Sequence, residues 1–363
     1  MEGIRERFAF SGIMMLAGAW TRILLLTLLH FLVDFYGGLL TPLLEPTLIE
    51  HLSTSLGSVT LLLGIGGIVV NASQPVSGAL LPKKGFPPLL IIAPIAASLI
   101  TCIGLTHSFA AVGALIIIAF LGIGLFHPEG LLAVQDLSGS RQGFGTAFFL
   151  SGGFMGYSFG SWIGGAWASK WKLSGFWFLA VPAAAGVLIV LVARLHRMGG
   201  HLNAKPLAHA RHTIRFPRVL ALTTLIAVNV SIIVFFVTPY LVRRFGPKAQ
   251  YWGGTALLAF GVAAALGSYL WGFLSERRSR CLMIAVTQII ALPFLYLLLN
   301  VSSPNAAPVW AGALGFFVGG IFPVAVVLGR GSPGEPTRLR AGLLIGGSWG
   351  TGSVVMILAG KWI

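Results

Sequence analysis

Residues 28–38 read LLHFLVDFYGG, which sets His30 and Asp34 four residues apart inside an apolar run that begins near Ile23. Positions i and i+4 share one face of an α-helix, and Gly37 and Thr41 continue the same stripe. Arg22 marks the polar end of the run. At 1.5 Å per residue Asp34 lies ~18 Å beyond it, near the middle of a hydrocarbon core about 30 Å thick. A charged group at that depth costs about 2.5–3.5 kcal/mol on insertion scales, so the pair is expected to face an internal cavity rather than lipid. Desolvation penalises the charged form of Asp34, which suits a group that loads and releases a proton. A permanently hydrogen-bonded structural aspartate is the alternative reading.

The rest of the chain extends this pattern. Of 363 residues, 56% are apolar and only 9% charged, a balance foreign to soluble domains. Apolar runs long enough to cross a membrane recur at 22–44, 59–81, 87–107, 109–134, 143–168, 173–194, 217–242, 250–275, 281–300, 307–330 and 340–362. They are too long and too continuously apolar for the ~10-residue alternating strands of an outer-membrane barrel, so they satisfy their own backbone as helices. The fold class expected is an all-α polytopic membrane protein. Residues 8–19 are too short to span and read as an interfacial lead-in.

Lys and Arg number 24 against 9 Asp and Glu, a net charge of +15. With the N-terminus placed in the cytoplasm, most of these cations fall on inner segments, as the positive-inside rule requires. Lys170, Lys172, Arg243, Arg244, Lys248 and Lys361 fall outside. The surplus therefore reflects topology, and no nucleic-acid partner is expected. Cys102 and Cys281 sit in or beside spans and imply neither disulfide nor metal. His196, His201, His209 and His212 lie in a basic stretch without accompanying carboxylate or thiolate, which reads as a solvated linker rather than a metal site. The organisation expected is 1–195, a linker at 196–216, and 217–363. No Ser/His/Asp spacing, phosphate loop or metal-ligand cluster is read within the spans, so neither a cofactor nor an enzyme is expected.

Two short motifs recur at one offset. GALLPKKG from Gly78 is answered by GFLSERRSR from Gly272, and the double glycine at Gly152 and Gly153 by Gly346 and Gly347, each 194 residues later. Duplication of a six-helix half implies twelve spans, so the twelfth is expected to be missing from this chain. The repeated loop resembles that of the major facilitator superfamily: Gly272, Leu274, Glu276, Arg277 and Arg280 fit it, as do Gly78, Leu80, Lys83 and Gly85 in the first copy, where Pro82 departs from the pattern. Gly156, Gly160, Gly164 and Gly165 in GTAFFLSGGFMGYSFGSWIGG resemble the glycine-rich signature of drug/proton antiporters, with Ala147 and Ser161 departing from it. HFLVDFYGGLLTPLL together with GLFHPEG resembles the fosmidomycin-resistance branch. The resemblance implies two six-helix lobes, a cavity lined by helices 1, 4, 7 and 10, and a monomeric, multi-pass carrier of the bacterial cytoplasmic membrane. It would export a small molecule against proton entry; import of a nutrient or organic anion is the alternative.

Within that frame His127 and Glu129, flanking Pro128, lie near the depth of His30 and are candidates to pass protons with His30 and Asp34; a Pro-kinked helix end with a snorkelling Glu129 is the alternative reading. Helix seven carries Asn229, Ile233, Phe236 and Tyr240 on one face, a candidate substrate wall or a plain packing stripe. The glycines of the fifth span are expected to permit close packing across the interface of the two halves. Gly78, Lys83, Gly272, Glu276, Arg277 and Arg280 are expected at cytoplasmic gate loops.

Overall fold

Hydrocarbon offers no water to a backbone amide, so each apolar run closes its N–H and C=O groups within a helix. The computed structural model describes residues 18–80, 86–138, 141–197, 214–275, 277–330, 332, 340 and 342–360, and no strand occurs among them. Helix α1 is Ala19–Leu39, α2 Leu56–Leu80, and α3 Leu89–Ser98 with a 3-10 extension, Leu99–Leu105. Helices α4, α5 and α6 are Phe109–Leu137, Gln142–Trp171 and Val181–Val192. Helices α7, α8 and α9 are Phe216–Phe245, Gln250–Ser275 and Arg280–Leu299. Helix α10 begins as Ala307–Leu314, passes a π-helical turn at Gly315–Gly319 and resumes as Phe322–Arg330. Helix α11 joins a π-helical turn, Leu343–Gly347, to Ser348–Gly360.

Seven helical stretches among the described residues are long and apolar enough to cross a membrane, and Leu89–Leu105, Phe176–Val192 and Leu343–Ala359 are shorter apolar helices. The first span departs from its predicted end. Regular helix stops at Leu39, after Gly37 and Gly38, and the chain continues through turns at Thr41–Leu43 and Leu44–Leu48 into Ile49–Leu52. Glycine weakens a helix and the prolines at 42 and 46 each remove a backbone donor, so the run bends where the hydropathy alone does not. Most of the lead-in and linker, with Lys83 and Glu276, lies outside the described residues.

Packing follows the sequence repeat. Helix α1 packs on α5 as α7 packs on α11, and α2 packs on α4 as α8 packs on α10. The two sets of helices meet along α5–α8 and along α2–α11, which an offset of six helices exchanges with one another. That is the contact pattern of two related halves about a pseudo-two-fold axis.

The glycines of α5 correct one expectation. Gly156, Gly160 and Gly164 face α1 within the first half: a Cβ at any of them would overlap the carbonyl oxygen of Phe31, Phe35 or Leu39. A four-residue spacing keeps all three on one face, and α1 occupies it. The seam between the halves uses the neighbouring face, where Gly165 and Ser161 of α5 meet Gly254 and Ser158 meets Gly261 of α8. Lipid supplies no hydrophobic drive between helices, so such close approach is what holds α1 to α5. Gly160→Leu should therefore cost about 1–3 kcal/mol or more by overpacking, lowering the thermal midpoint of the purified protein. Gly272→Leu, with open space about its α-carbon, should leave it unchanged. Equal melting of both variants would remove the packing role.

Candidate functional site

His30 and Asp34 occupy one face of α1, and His127 of α4 completes a three-residue cluster. Nε2 of His30 lies 3.2 Å from Asp34 Oδ2, and Nε2 of His127 lies 3.4 Å from Oδ1. Both rings are fixed from behind: His30 Nδ1 stands 2.8 Å from the carbonyl oxygen of Phe149, and His127 Nδ1 2.7 Å from that of Ile123. A carbonyl oxygen only accepts, so each Nδ1 carries the hydrogen it donates, and each Nε2 offers the carboxylate either a second N–H or a bare lone pair. The His30 ring stacks on Phe149 at 4.1 Å between centroids and meets the His127 ring edge-on at 4.9 Å. Gly153 makes room for the cluster, since a Cβ there would stand 2.5 Å from His30 Nε2 and 2.6 Å from Asp34 Oδ2.

The cluster opens on a cavity of about 210 Å³ between the two halves. From the first half Thr41, Asn71, Gln74, Tyr157 and Ser158 supply its polar edge, and Thr41 and Tyr157 hydrogen-bond to one another. The second half contributes Val234, Phe235, Phe260, Phe322 and Trp349, with Ser231 and Ser353. The repeat offset maps His30, Asp34 and His127 onto Thr224, Val228 and Ile321, and among the described residues lining the cavity the ionisable cluster comes from the first half. Asn71 and Gln74 were legible as polar residues in an otherwise apolar span; Gly153 was visible only as part of the repeated double glycine, and the two carbonyl oxygens carried no sequence signal.

Other candidates stand elsewhere. Glu129 is buried and accepts a hydrogen bond from the backbone N–H of Phe86 at 2.8 Å, at the end of the bundle where α3 begins. Helix α4 runs unbroken through Pro128, and two residues turn a helix by roughly 200°, so His127 and Glu129 cannot share a face. The relay expected between them is corrected: His127 meets Asp34, and Glu129 does not join it. The wall expected from helix seven is corrected as well. Asn229 donates to Gln288 of α9, Tyr240 donates to the Leu299 carbonyl, and Phe236 and Tyr240 line a separate cleft against α9. A helix apolar all round gives no periodic cue to which face meets the cavity. Among the loop residues, Gly78 and Gly272 lie near the ends of α2 and α8. Arg277 rests over the Phe273 ring at 4.5 Å, and Arg280 opens α9. The absence of a metal-ligand cluster within the spans is likewise corrected, because the donor atoms of His30, Asp34 and His127 lie within 4.8 Å of one another.

Polar contacts join the halves at the end that carries the α1–α2 connection. Arg243 Nε lies 3.1 Å from Glu45 Oε2. Buried Gln250 donates to the Pro42 carbonyl at 2.7 Å and to Thr47 Oγ1 at 2.9 Å. An exposed ion pair contributes ~0–1 kcal/mol, whereas stranding a buried acceptor costs about 1–3 kcal/mol. Gln250 is the firmer closure.

The family profile described as Major Facilitator Superfamily matches residues 26–355. An uncharacterized MFS-type transporter of Bacillus subtilis (strain 168), YfnC, is 22% identical over 359 residues, which cover 94% of this chain and 86% of the relative. Among solved structures, a bacterial homolog to the human lysosomal transporter Spinster, inward-facing and unoccupied, superposes with a TM-score of 0.71 at 16% identity, covering 94% of this chain and 82% of that one. The nucleoside transporter NupG superposes with a TM-score of 0.62 at 15% identity, covering 93% and 90%.

Closure through Gln250 can be tested in a background lacking Cys102 and Cys281 and carrying Ser231→Cys. Gln250→Ala should raise labelling by an impermeant thiol reagent added at that end severalfold, and more than Arg243→Gln does. The reverse ranking would assign the closure to the ion pair.

Proposed function

The chain belongs to the Major Facilitator Superfamily and is a membrane transporter of small molecules, and from that premise we propose that it exports its substrate in exchange for protons by alternating access. One observation carries the reading: two histidines, each pinned by a backbone carbonyl, turn their remaining nitrogens onto one aspartate at the edge of the cavity between the halves. An ionisable cluster at membrane depth is costly unless it serves a pathway. Asp34 is the group that carries the proton. His30 and His127 set its charge balance, and the apolar and aromatic wall of the second half holds the substrate.

In this reading the halves rock about the cavity, and the α5–α8 and α2–α11 seams slide while the triad stays intact within the first half. Proton loading biases the two access states only if they hold Asp34 differently, since a ligand shifts an equilibrium by its differential affinity alone. The protein works as a monomer in the bacterial cytoplasmic membrane, with its N-terminus in the cytoplasm. The Gln250 closure is then at the outer face. Import of a nutrient or organic anion would use the same cluster with the opposite sign of flux.

Reconstituted in proteoliposomes, the wild-type protein should move protons when substrate is added, and the sign of that flux separates export from import. Asp34→Asn should keep substrate exchange while losing at least ten-fold in uphill accumulation, because the neutral side chain no longer distinguishes the two states. Glu129→Gln should accumulate nearly as the wild type does. Full proton-driven accumulation by Asp34→Asn would sink the coupling role.

A further inference from the structure

The Nδ1 atoms of His30 and His127 both face main-chain carbonyl oxygens, at 2.8 and 2.7 Å. That is the arrangement that orients an imidazole toward a metal ion, the carbonyl fixing both tautomer and ring plane. It leaves two nitrogens and a carboxylate converging on one point, all within 4.8 Å. His30 Nε2 is buried and faces the Asp34 carboxylate rather than a backbone group. The carboxylate oxygens stand 3.2 and 3.4 Å from the two nitrogens. Donors of a tetrahedral ion with bonds of about 2.0–2.1 Å are separated by roughly 3.3–3.4 Å; each imidazole stands at about that distance from its own carboxylate oxygen, and with every donor pair within 4.8 Å the set closes on a cation by drawing its widest pair inward.

We propose that His30, Asp34 and His127 bind a divalent transition-metal cation, and that this cation is cargo of the transporter. The inference rests on the reading of the cavity as the transport site. Two imidazoles and one carboxylate suit Zn²⁺, Co²⁺, Ni²⁺ or Fe²⁺, whereas Mg²⁺ and Ca²⁺ prefer oxygen throughout. Gly153 places no Cβ against His30 Nε2 and Asp34 Oδ2, where one would stand 2.5 and 2.6 Å away. Three protein donors leave a coordination position directed at the cavity, where water or a donor atom of a co-transported molecule completes the set.

The test is titration of the purified full-length chain, without a histidine tag, by Zn²⁺ in a calorimeter and by Co²⁺ with visible absorption as the readout. One ion per chain, the absorption of a four-coordinate Co²⁺ site, and failure of Mg²⁺ or Ca²⁺ to compete are the expected results. His30→Ala, His127→Gln and Asp34→Asn should each weaken binding at least ten-fold. Gly153→Ala should do so with every donor still in place. Replacing His196, His201, His209 and His212 by alanine should change nothing. Binding that survives the triad substitutions but vanishes with the linker histidines overturns the proposal, as does absence of stoichiometric binding. If a triad variant fails to fold, X-ray absorption of Zn²⁺ on the wild-type chain decides: two imidazole ligands support the site and none overturns it.

Flux measurements keep this proposal apart from proton coupling. Zn²⁺ uptake into vesicles that disappears with Asp34→Asn supports cation cargo. Proton exchange with an organic substrate in a chain that binds no metal leaves the coupling standing and overturns the cargo. Metal movement without proton movement overturns the coupling alone.

Discussion

The near-contact of α1 with α5 governs everything built around it. Lipid tails are as apolar as leucine, so nothing squeezes the two helices together; they stay together because Gly156, Gly160 and Gly164 let the backbones touch. That closeness brings the Phe149 carbonyl within reach of His30 Nδ1 and sets Asp34 over the bare α-carbon of Gly153. A bulkier contact would separate the helices, and the imidazole would lose the acceptor that fixes its tautomer. The chemistry of the cluster is thus a product of backbone distance as much as of side-chain identity.

The two halves share a frame but not a charge. Pairwise packing repeats between them, yet the positions matching the triad are Thr224, Val228 and Ile321. In the proposed reading labour divides across the seam: one half carries the ionisable cluster and the half opposite offers surface. Rocking at α5–α8 and α2–α11 would then change what the cluster faces without changing the cluster. Small residues on both sides of the first seam, Ser158 and Ser161 against Gly254 and Gly261, suit sliding because little side-chain volume interlocks there.

Much of this was legible in the sequence, for identifiable reasons. Hydrophobic length gave the helices, because hydrocarbon thickness leaves no freedom in that length. The i,i+4 spacing gave His30 and Asp34 as neighbours, because a helix leaves no freedom in that either. What failed was azimuth. In α7 every face is apolar whether it meets lipid, α9 or the cavity, so Asn229, Phe236 and Tyr240 could not be told from Val230, Ser231 and Val234. In α4, His127 and Glu129 looked like a pair because they are close in sequence, and helical geometry sends them opposite ways. Of the α5 glycines expected at the interface of the halves, Gly165 is there, whereas Gly156, Gly160 and Gly164 pack on α1, since a small-residue stripe specifies closeness but not which helix arrives.

His30 is 1% exposed, enclosed by Phe126, Phe149 and its own partners, while Asp34 and His127 each keep roughly a sixth of their side chains open. The cluster therefore has a front and a back. Under the proposed cation reading, an ion arriving from the cavity meets Asp34 and His127 first and His30 last, and it leaves in the reverse order. With a single ion shared by all three donors, that order makes the front pair the part that sets how readily the ion exchanges and His30 the part that sets how firmly it is held.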